Sequence, residues 1–296
     1  ILDRVRAVGH RRLAQLYVVL AVGCEATGQI EESVRYIDAA RTAIDGGEYE
    51  TMPHRLEVFG GIAYLDAGQP SRIIEWCQAT LAEDGEDAVA PLIMLVFVLT
   101  VVGRGDEARR ALRGMVDAAE HTRNPGLLAY ALWAEGVAFG NADPNYALQA
   151  LRRGLVIAQD CGTILVEDAL ASTLSRLETQ HGDPLVALDF VALAIRSLYD
   201  AGNTTQIVGP VANLASLFDR LGRYEPAAVI AGFASTKVIP GLTKIEATET
   251  HLREVLGDQA YESLASAGAA NTLADIAAYA FNQIDQARAE LTAVSE

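Results

Sequence analysis

Histidine and carboxylate residues could do chemistry in this 296-residue chain, and one short stretch brings them together. Glu249, His251 and Glu254 lie within six residues, and side chains three apart on a helix share a face. Such a pair supplies two ligands, whereas a zinc site needs three or four. The other histidines are scattered along the chain without ligand spacing: His10, His54, His121 and His181. The sequence therefore predicts no metal and no cofactor.

Nucleophilic catalysis has equally little support in the sequence. No Gly-x-Ser-x-Gly elbow and no phosphate loop ending in Gly-Lys-Ser/Thr is present. In His181-Gly182-Asp183 the glycine suits a turn and the aspartate suits a helix N-cap. We therefore predict that the chain is not an enzyme, and a stand-alone hydrolase is the weakest of three functional hypotheses.

The charge and the apolar content indicate the class of partner. The net charge of −16 repels nucleic-acid phosphates and acidic membrane surfaces. The longest apolar stretch covers residues 92–102. It is far shorter than a membrane span, which needs roughly 20 residues.

Cys24, Cys77 and Cys161 are odd in number and lie in apolar surroundings, which predicts buried free thiols in a reducing cytoplasm. The sequence thus predicts a cytoplasmic chain without direct nucleic-acid or membrane contact. Because its first residue is Ile, we expect a piece of a longer protein.

The elements that must position any site follow from a repeated pattern. Six glycines, each after an apolar segment, recur at spacings of 40, 35, 37, 42 and 40 residues. After each comes a stripe of small or apolar residues at i, i+4 and i+7, which is typical of one buried helix face. We predict an all-α fold, an α-solenoid of about six helix-turn-helix units. The glycines are Gly28, Gly68, Gly103, Gly140, Gly182 and Gly222, and the stripe comprises Ser33, Ile37, Ala40, Ile73, Cys77, Thr80, Ala108, Leu112, Met115, Ala147, Leu151, Gly154, Ala187, Val191, Ala194, Ala227, Ala231 and Ala234.

The pattern ends after residue 235, which divides the chain into three predicted parts. Residues 1–235 carry the repeats, and residues 236–246, with a Pro-Gly pair, are predicted to form a connector. Residues 247–296 are predicted to form three helices that cap the last apolar face of the solenoid. We expect Gly257 and Gly268 to end helices. The expected N-caps are Asp143, Asp183, Asp258 and Thr272, the last paired with Asp275.

Two resemblances follow from these motifs. The segments VVGRGDEARRALRGM (101–115), HGDPLVALDFVALAI (181–195) and LGRYEPAAVIAGFA (221–234) resemble tetratricopeptide repeats. The segments RLGRYEPAAVIAGFA (220–234) and LREVLGDQAYESLASAGAANTLADIAAYAFNQID (252–285) resemble the C-terminal region of large actinobacterial regulators. That family joins a signal-transduction ATPase to a helical-repeat sensor region, with nucleotide-cyclase or LuxR-type DNA-binding domains in many members. The resemblance implies a role in signal transduction or transcription regulation and no catalytic residue here.

In a tetratricopeptide-like solenoid the first helix of each unit lines the concave face. Helical spacing projects these apolar residues there: Val18, Val22, Val58, Ile62, Ile93, Phe97, Tyr130, Trp133 and Val137. Arg55 and Arg176 would add charge. Either these residues only pack between helices, or they line an apolar groove with polar anchors.

The groove supports two functional hypotheses. In the leading one, the chain is a sensor or scaffold that binds a protein segment or an effector in the groove. Its expected partners are a protein segment or neighbouring domains of the same polypeptide, with a small effector as a further possibility. In the second, it is a receptor whose small-molecule effector fills the groove. A closed apolar pocket would favour the small molecule, and an open groove with mixed residues would favour a peptide.

The charge balance generates a first test. We expect no salt-sensitive binding of DNA or RNA near neutral pH, because a net charge of −16 repels the phosphate backbone. Fluorescence anisotropy with labelled duplex DNA at low and moderate salt measures this. Micromolar binding that weakens as salt rises would contradict it.

Overall fold

The computed structural model describes residues 12–46, 51–84, 89–236 and 245–295. Within these ranges the chain is helical and has no strand, which confirms the all-α class. No helix in these ranges is long and apolar enough to cross a membrane. The chain forms two compact units, residues 1–139 and 140–296. The predicted parts 1–235, 236–246 and 247–296 stay a prediction, and most of the connector lies outside the described residues.

The first unit is built from helices joined by short turns. A 3₁₀ helix lies between the second and third α-helices. It follows an extended residue and begins with a proline, which suits a helix start. It contacts both α1 and α5, and α5 also packs against α8. The elements are α1 (Leu13–Ala26), α2 (Ile30–Asp45), the 3₁₀ helix (Pro53–Gly61), α3 (Ile62–Asp66), α4 (Pro70–Asp84), α5 (Val89–Val101), α6 (Gly105–Ala111), α7 (Met115–His121) and α8 (Pro125–Phe139).

The second unit contains the longer helices. Helix α10 packs against α9, α11 and α12, and α13 packs against α12 and α15. One cluster of buried apolar residues runs from α11 to the last helix. The elements are α9 (Pro144–Cys161), α10 (Ile164–His181), α11 (Pro184–Asp200), α12 (Val208–Arg220), α13 (Tyr224–Ser235), α14 (Ile245–Leu256), α15 (Asp258–Ala269) and α16 (Leu273–Ser295).

Every residue of the predicted stripe is buried, including the polar Ser33 and Thr80. The hydroxyl of Ser33 donates to the carbonyl of Ala21 at 2.7 Å, and that of Thr80 donates to the carbonyl of Trp76 at 2.9 Å. Their burial is therefore compensated by hydrogen bonds. The stripe fixes the orientation of the helices that carry it, because it is the face that each of these helices packs into the core.

The turn at Gly222 shows how two helices are joined. Gly222 has a φ of 74°, a left-handed conformation that favours glycine. The N–H of Arg223 donates to the carbonyl of Phe218 at 2.9 Å. The same left-handed glycine occurs at Gly28, Gly68 and Gly103. Gly182 differs from them, because it is extended at a φ of −111°.

The predicted helix starts are confirmed at Asp143, Asp183 and Thr272. The carboxylate of Asp143 accepts the N–H of Tyr146 at 3.0 Å, and that of Asp183 accepts the N–H of Leu185 at 2.7 Å. Thr272 and Asp275 each accept the other's backbone N–H, the reciprocal capping arrangement. The prediction for Asp258 is wrong: Gly257 occupies the N-cap, and no side chain caps this helix.

Gly268 does not end a helix as predicted but brings α15 against α13. A Cβ atom at Gly268 would lie 1.8 Å from the carbonyl oxygen of Val229, and one at Gly232 would lie 2.1 Å from that of Ala265. Both distances are far below van der Waals contact, and the obstacle is backbone, which cannot rotate away. Glycine at both positions therefore allows the two helices to approach this closely.

We expect Gly268→Ala to lower the free energy of unfolding by roughly 1–3 kcal/mol, because the methyl group forces α13 and α15 apart. The matched control is Gly209→Ala in α12, where the nearest atom to an added Cβ is the Ser172 hydroxyl at 3.9 Å. That variant should be unchanged or slightly more stable, since alanine is the better helix former. Urea unfolding followed by circular dichroism measures both. Equal stability of the two variants would contradict the close contact.

Candidate binding site

Four aromatic side chains of the first unit form a continuous cluster, which we call the aromatic cluster: Phe59, Phe97, Tyr130 and Trp133. Phe59 stacks on Tyr130 with ring centroids 4.5 Å apart, and Phe97 lies 4.6 Å from Trp133. Tyr130 meets Trp133 edge-on at 6.1 Å. These separations fall in the range where aromatic pairs attract each other beyond the burial of their area.

Three elements position the cluster. Phe59 lies on the 3₁₀ helix, Phe97 on α5, and Tyr130 and Trp133 on α8. Tyr130 and Trp133 are three residues apart, so they lie on one face of α8. Because α5 contacts both the 3₁₀ helix and α8, rings from all three elements meet there.

The cluster has a buried floor and partly exposed rings above it. The side chain of Trp133 is only 9% exposed, whereas Phe59, Phe97 and Tyr130 are partly exposed. The stripe residues, in contrast, are fully buried or nearly so. The three outer rings are therefore available to a partner, while Trp133 supports them from below.

The lining of a concave groove by these residues stays a prediction. Phe97, Tyr130 and Trp133 do meet, and Val137, one turn beyond Trp133, is partly exposed. Val18, Val58 and Ile93 are buried, which fits the alternative that they only pack between helices.

Phe59 was missed because the projection assumed an α-helix. Its segment is a 3₁₀ helix, and the tighter turn of that helix rotates Val58 into the core and Phe59 to the surface. A proline at its start was the only signal in the sequence.

Arg55 is not a free anchor of the groove. Its guanidinium lies 2.8 Å from the buried Glu57 and 2.6 Å from Asp84, and its side chain is 13% exposed. Burial alone would lower the pKa of Arg55, but hydrogen bonds to Asp84 and Glu57 raise it. Glu57 also accepts the N–H of Met52, so Arg55 fastens the start of the 3₁₀ helix.

The backbone at this start is strained. His54 has a φ of 53° and ψ of 21°, and Arg55 has a φ of 58° and ψ of 41°. Residues with a side chain rarely adopt this left-handed region. The ion pairs of Arg55 hold this conformation, and with it the direction of the helix that carries Phe59. The other predicted arginine, Arg176, lies in the second unit.

Histidines and cysteines are dispersed in the described ranges. They contain no group of three His, Cys, Asp or Glu side chains arranged to hold a metal, and His10 lies outside them. His251 instead pairs with Asp219, Nδ1 to Oδ1 at 2.8 Å.

All three cysteines are free, but only Cys77 is buried as predicted. Burial raises the pKa of its thiol to about 12. Cys161 is exposed, because it lies at the end of α9.

No protein-family model matches the chain, and no functionally curated protein is similar to it. The resemblance to tetratricopeptide repeats and to actinobacterial regulators therefore stays a prediction.

We expect Trp133→Ala to lower the free energy of unfolding by roughly 3–5 kcal/mol, because the change removes the buried floor of the cluster. Tyr130→Ala should cost clearly less, since its ring is partly exposed. Tyr199→Ala is the surface control, at a side chain that is 39% exposed. Its stability should stay within about 0.5 kcal/mol of that of the unaltered protein. Urea unfolding gives all three values, and a cost at Tyr130 as large as at Trp133 would mean that Tyr130 is core.

Proposed function

We propose that the chain is an array of tetratricopeptide-like helix-turn-helix units, closed by a C-terminal helical cap, that binds a protein segment without catalysis. The repeated arrangement is supported by the burial of the whole stripe and by the left-handed glycines at Gly28, Gly68, Gly103 and Gly222. The cap is supported by the close contact of α15 with α13 at Gly232 and Gly268.

The observation that carries the binding proposal is the aromatic cluster. Partly exposed aromatic rings supply large apolar area at little entropic cost, and such residues dominate the binding energy of interfaces. Their position on three elements gives a surface that an apolar side chain of a partner can contact from several directions. Trp133 below them keeps the rings in place, so the surface is preorganised.

The charges around the cluster favour an apolar partner segment. Arg55, the basic residue predicted to lie beside it, is already neutralised by Glu57 and Asp84. The partner should therefore present aromatic or large aliphatic side chains. On the resemblance to actinobacterial regulators, we propose that this segment belongs to a neighbouring domain of a cytoplasmic signalling or transcriptional regulator.

The test is a selection of phage-displayed peptides on the purified chain, followed by anisotropy with the selected peptides. We expect sequences rich in aromatic and large aliphatic residues. Their affinity should fall at least tenfold in Phe97→Ala and in Tyr130→Ala, because each removes about 1.4 kcal/mol or more of contact energy. Tyr199→Ala, in the other unit, is the control and should bind as the unaltered protein does.

Peptides that bind equally well to Phe97→Ala, Tyr130→Ala and the unaltered protein would contradict the proposed surface. So would a selection that yields no binding peptide. In that case the hypothesis of a small-molecule effector would replace the peptide.

A further inference from the structure

Arg176 is an arginine of the second unit without a partner. It lies on α10, is partly buried, and makes no hydrogen bond or ion pair with any residue in the described ranges. Other arginines of this unit are engaged. Arg152 binds Glu178, Arg220 donates to the carbonyl of Thr179, Arg223 binds Gln283, Arg253 binds Glu262 and Arg288 binds Asp189.

The isolation of Arg176 is costly to the folded protein. Burial lowers the pKa of Arg176, and no carboxylate lies close enough to raise it again. A charge withdrawn from water without a counter-charge opposes folding. The chain has 39 acidic residues against 23 basic ones, so a shortage of carboxylates does not explain the missing partner.

None of the three acidic residues of α10 pairs with Arg176. Glu178 pairs with Arg152, and Glu167 accepts a hydrogen bond from Gln159 at 3.1 Å. Asp168 lies two turns before Arg176. Burial raises the pKa of Asp168 and so disfavours the charged form of its carboxyl group.

Two further polar side chains lie beside Arg176. Ser172 and Gln180 are one turn before and one turn after it, so all three lie on one face, about 6 Å apart along the axis. Both are partly buried, and neither the Ser172 hydroxyl nor the Gln180 amide has a hydrogen-bond partner in the described part of the chain. None of the three side chains has a polar atom that is both sealed from solvent and unpaired, so a ligand can reach them.

These side chains are hydrogen-bond donors. The guanidinium offers five N–H groups, the amide two and the hydroxyl one, and a guanidinium binds the paired oxygens of a carboxylate or phosphate most strongly. We propose that Arg176, with Ser172 and Gln180, binds an oxyanion, the carboxylate or phosphate group of a ligand. This anion site lies in the second unit and is independent of the aromatic cluster.

The test compares the thermal stability of the whole chain in sodium phosphate, sodium acetate and sodium chloride at equal ionic strength. A ligand that binds only the folded state raises the melting temperature, by roughly 3 °C at ten times its dissociation constant. We expect this increase in phosphate or in acetate relative to chloride, and the salt that produces it identifies the oxyanion.

Arg176→Met keeps the apolar stem and removes the charge. This variant should lose the anion-dependent increase and, in chloride, be at least as stable as the unaltered protein, because an unpaired charge is gone. Arg288→Met is the matched control: it removes an arginine paired with Asp189, so the anion-dependent increase should persist. Ser172→Ala should weaken the affinity for the anion several-fold. In the unaltered protein, the Nε–H signal of Arg176 in a nitrogen-correlated NMR spectrum should shift as the anion is added.

An anion-dependent increase that is equal in Arg176→Met and the unaltered protein would overturn the proposal. So would the absence of any increase and of any shift of the Arg176 signal. A loss of stability of Arg176→Met in chloride would assign the guanidinium to folding and would also overturn it.

Discussion

The burial of the stripe of small and apolar residues is the constraint on which the rest of the structure depends. Small residues also let backbones approach outside the stripe, most closely where α13 meets α15 at Gly232 and Gly268. There a single methyl group would meet a carbonyl oxygen. A helix that is fixed this closely cannot rotate, so its other faces are fixed as well, including those that carry polar or aromatic side chains.

The stripe and the aromatic cluster of the first unit lie on different helices. The stripe residues on α2, α4 and α6 are small or aliphatic and buried, whereas the aromatic cluster lies on the 3₁₀ helix, α5 and α8. Three rings of the cluster, those of Phe59, Phe97 and Tyr130, stay partly exposed between their helices. The aromatic cluster is thus a consequence of packing as well as a candidate site, and Trp133 serves both purposes.

Most of the arginines follow a local electrostatic rule. Most arginines in the described ranges bind an acidic side chain or a backbone carbonyl, as Arg55 does at the start of the 3₁₀ helix. These pairs position backbone and contribute little to net stability where they are exposed. Arg176 is partly buried and has no such partner in the described part of the chain, since Glu178 binds Arg152 and Glu167 accepts a hydrogen bond from Gln159. A polar group that folding leaves unpaired at a partly accessible position is available for a ligand.

The sequence by itself determined the helices, their buried stripe, and the capping at Asp143, Asp183 and Thr272. These features depend on periodicity and on side-chain-to-backbone hydrogen bonds a few residues apart, which a sequence records directly. Only the tertiary structure decided that Phe59 joins the cluster, that Arg55 is neutralised, that Gly268 is a helix contact, and that Arg176 has no partner. Each of these depends on which atom of a distant segment lies nearby, or on a 3₁₀ rather than an α-helical turn, and local spacing does not encode either.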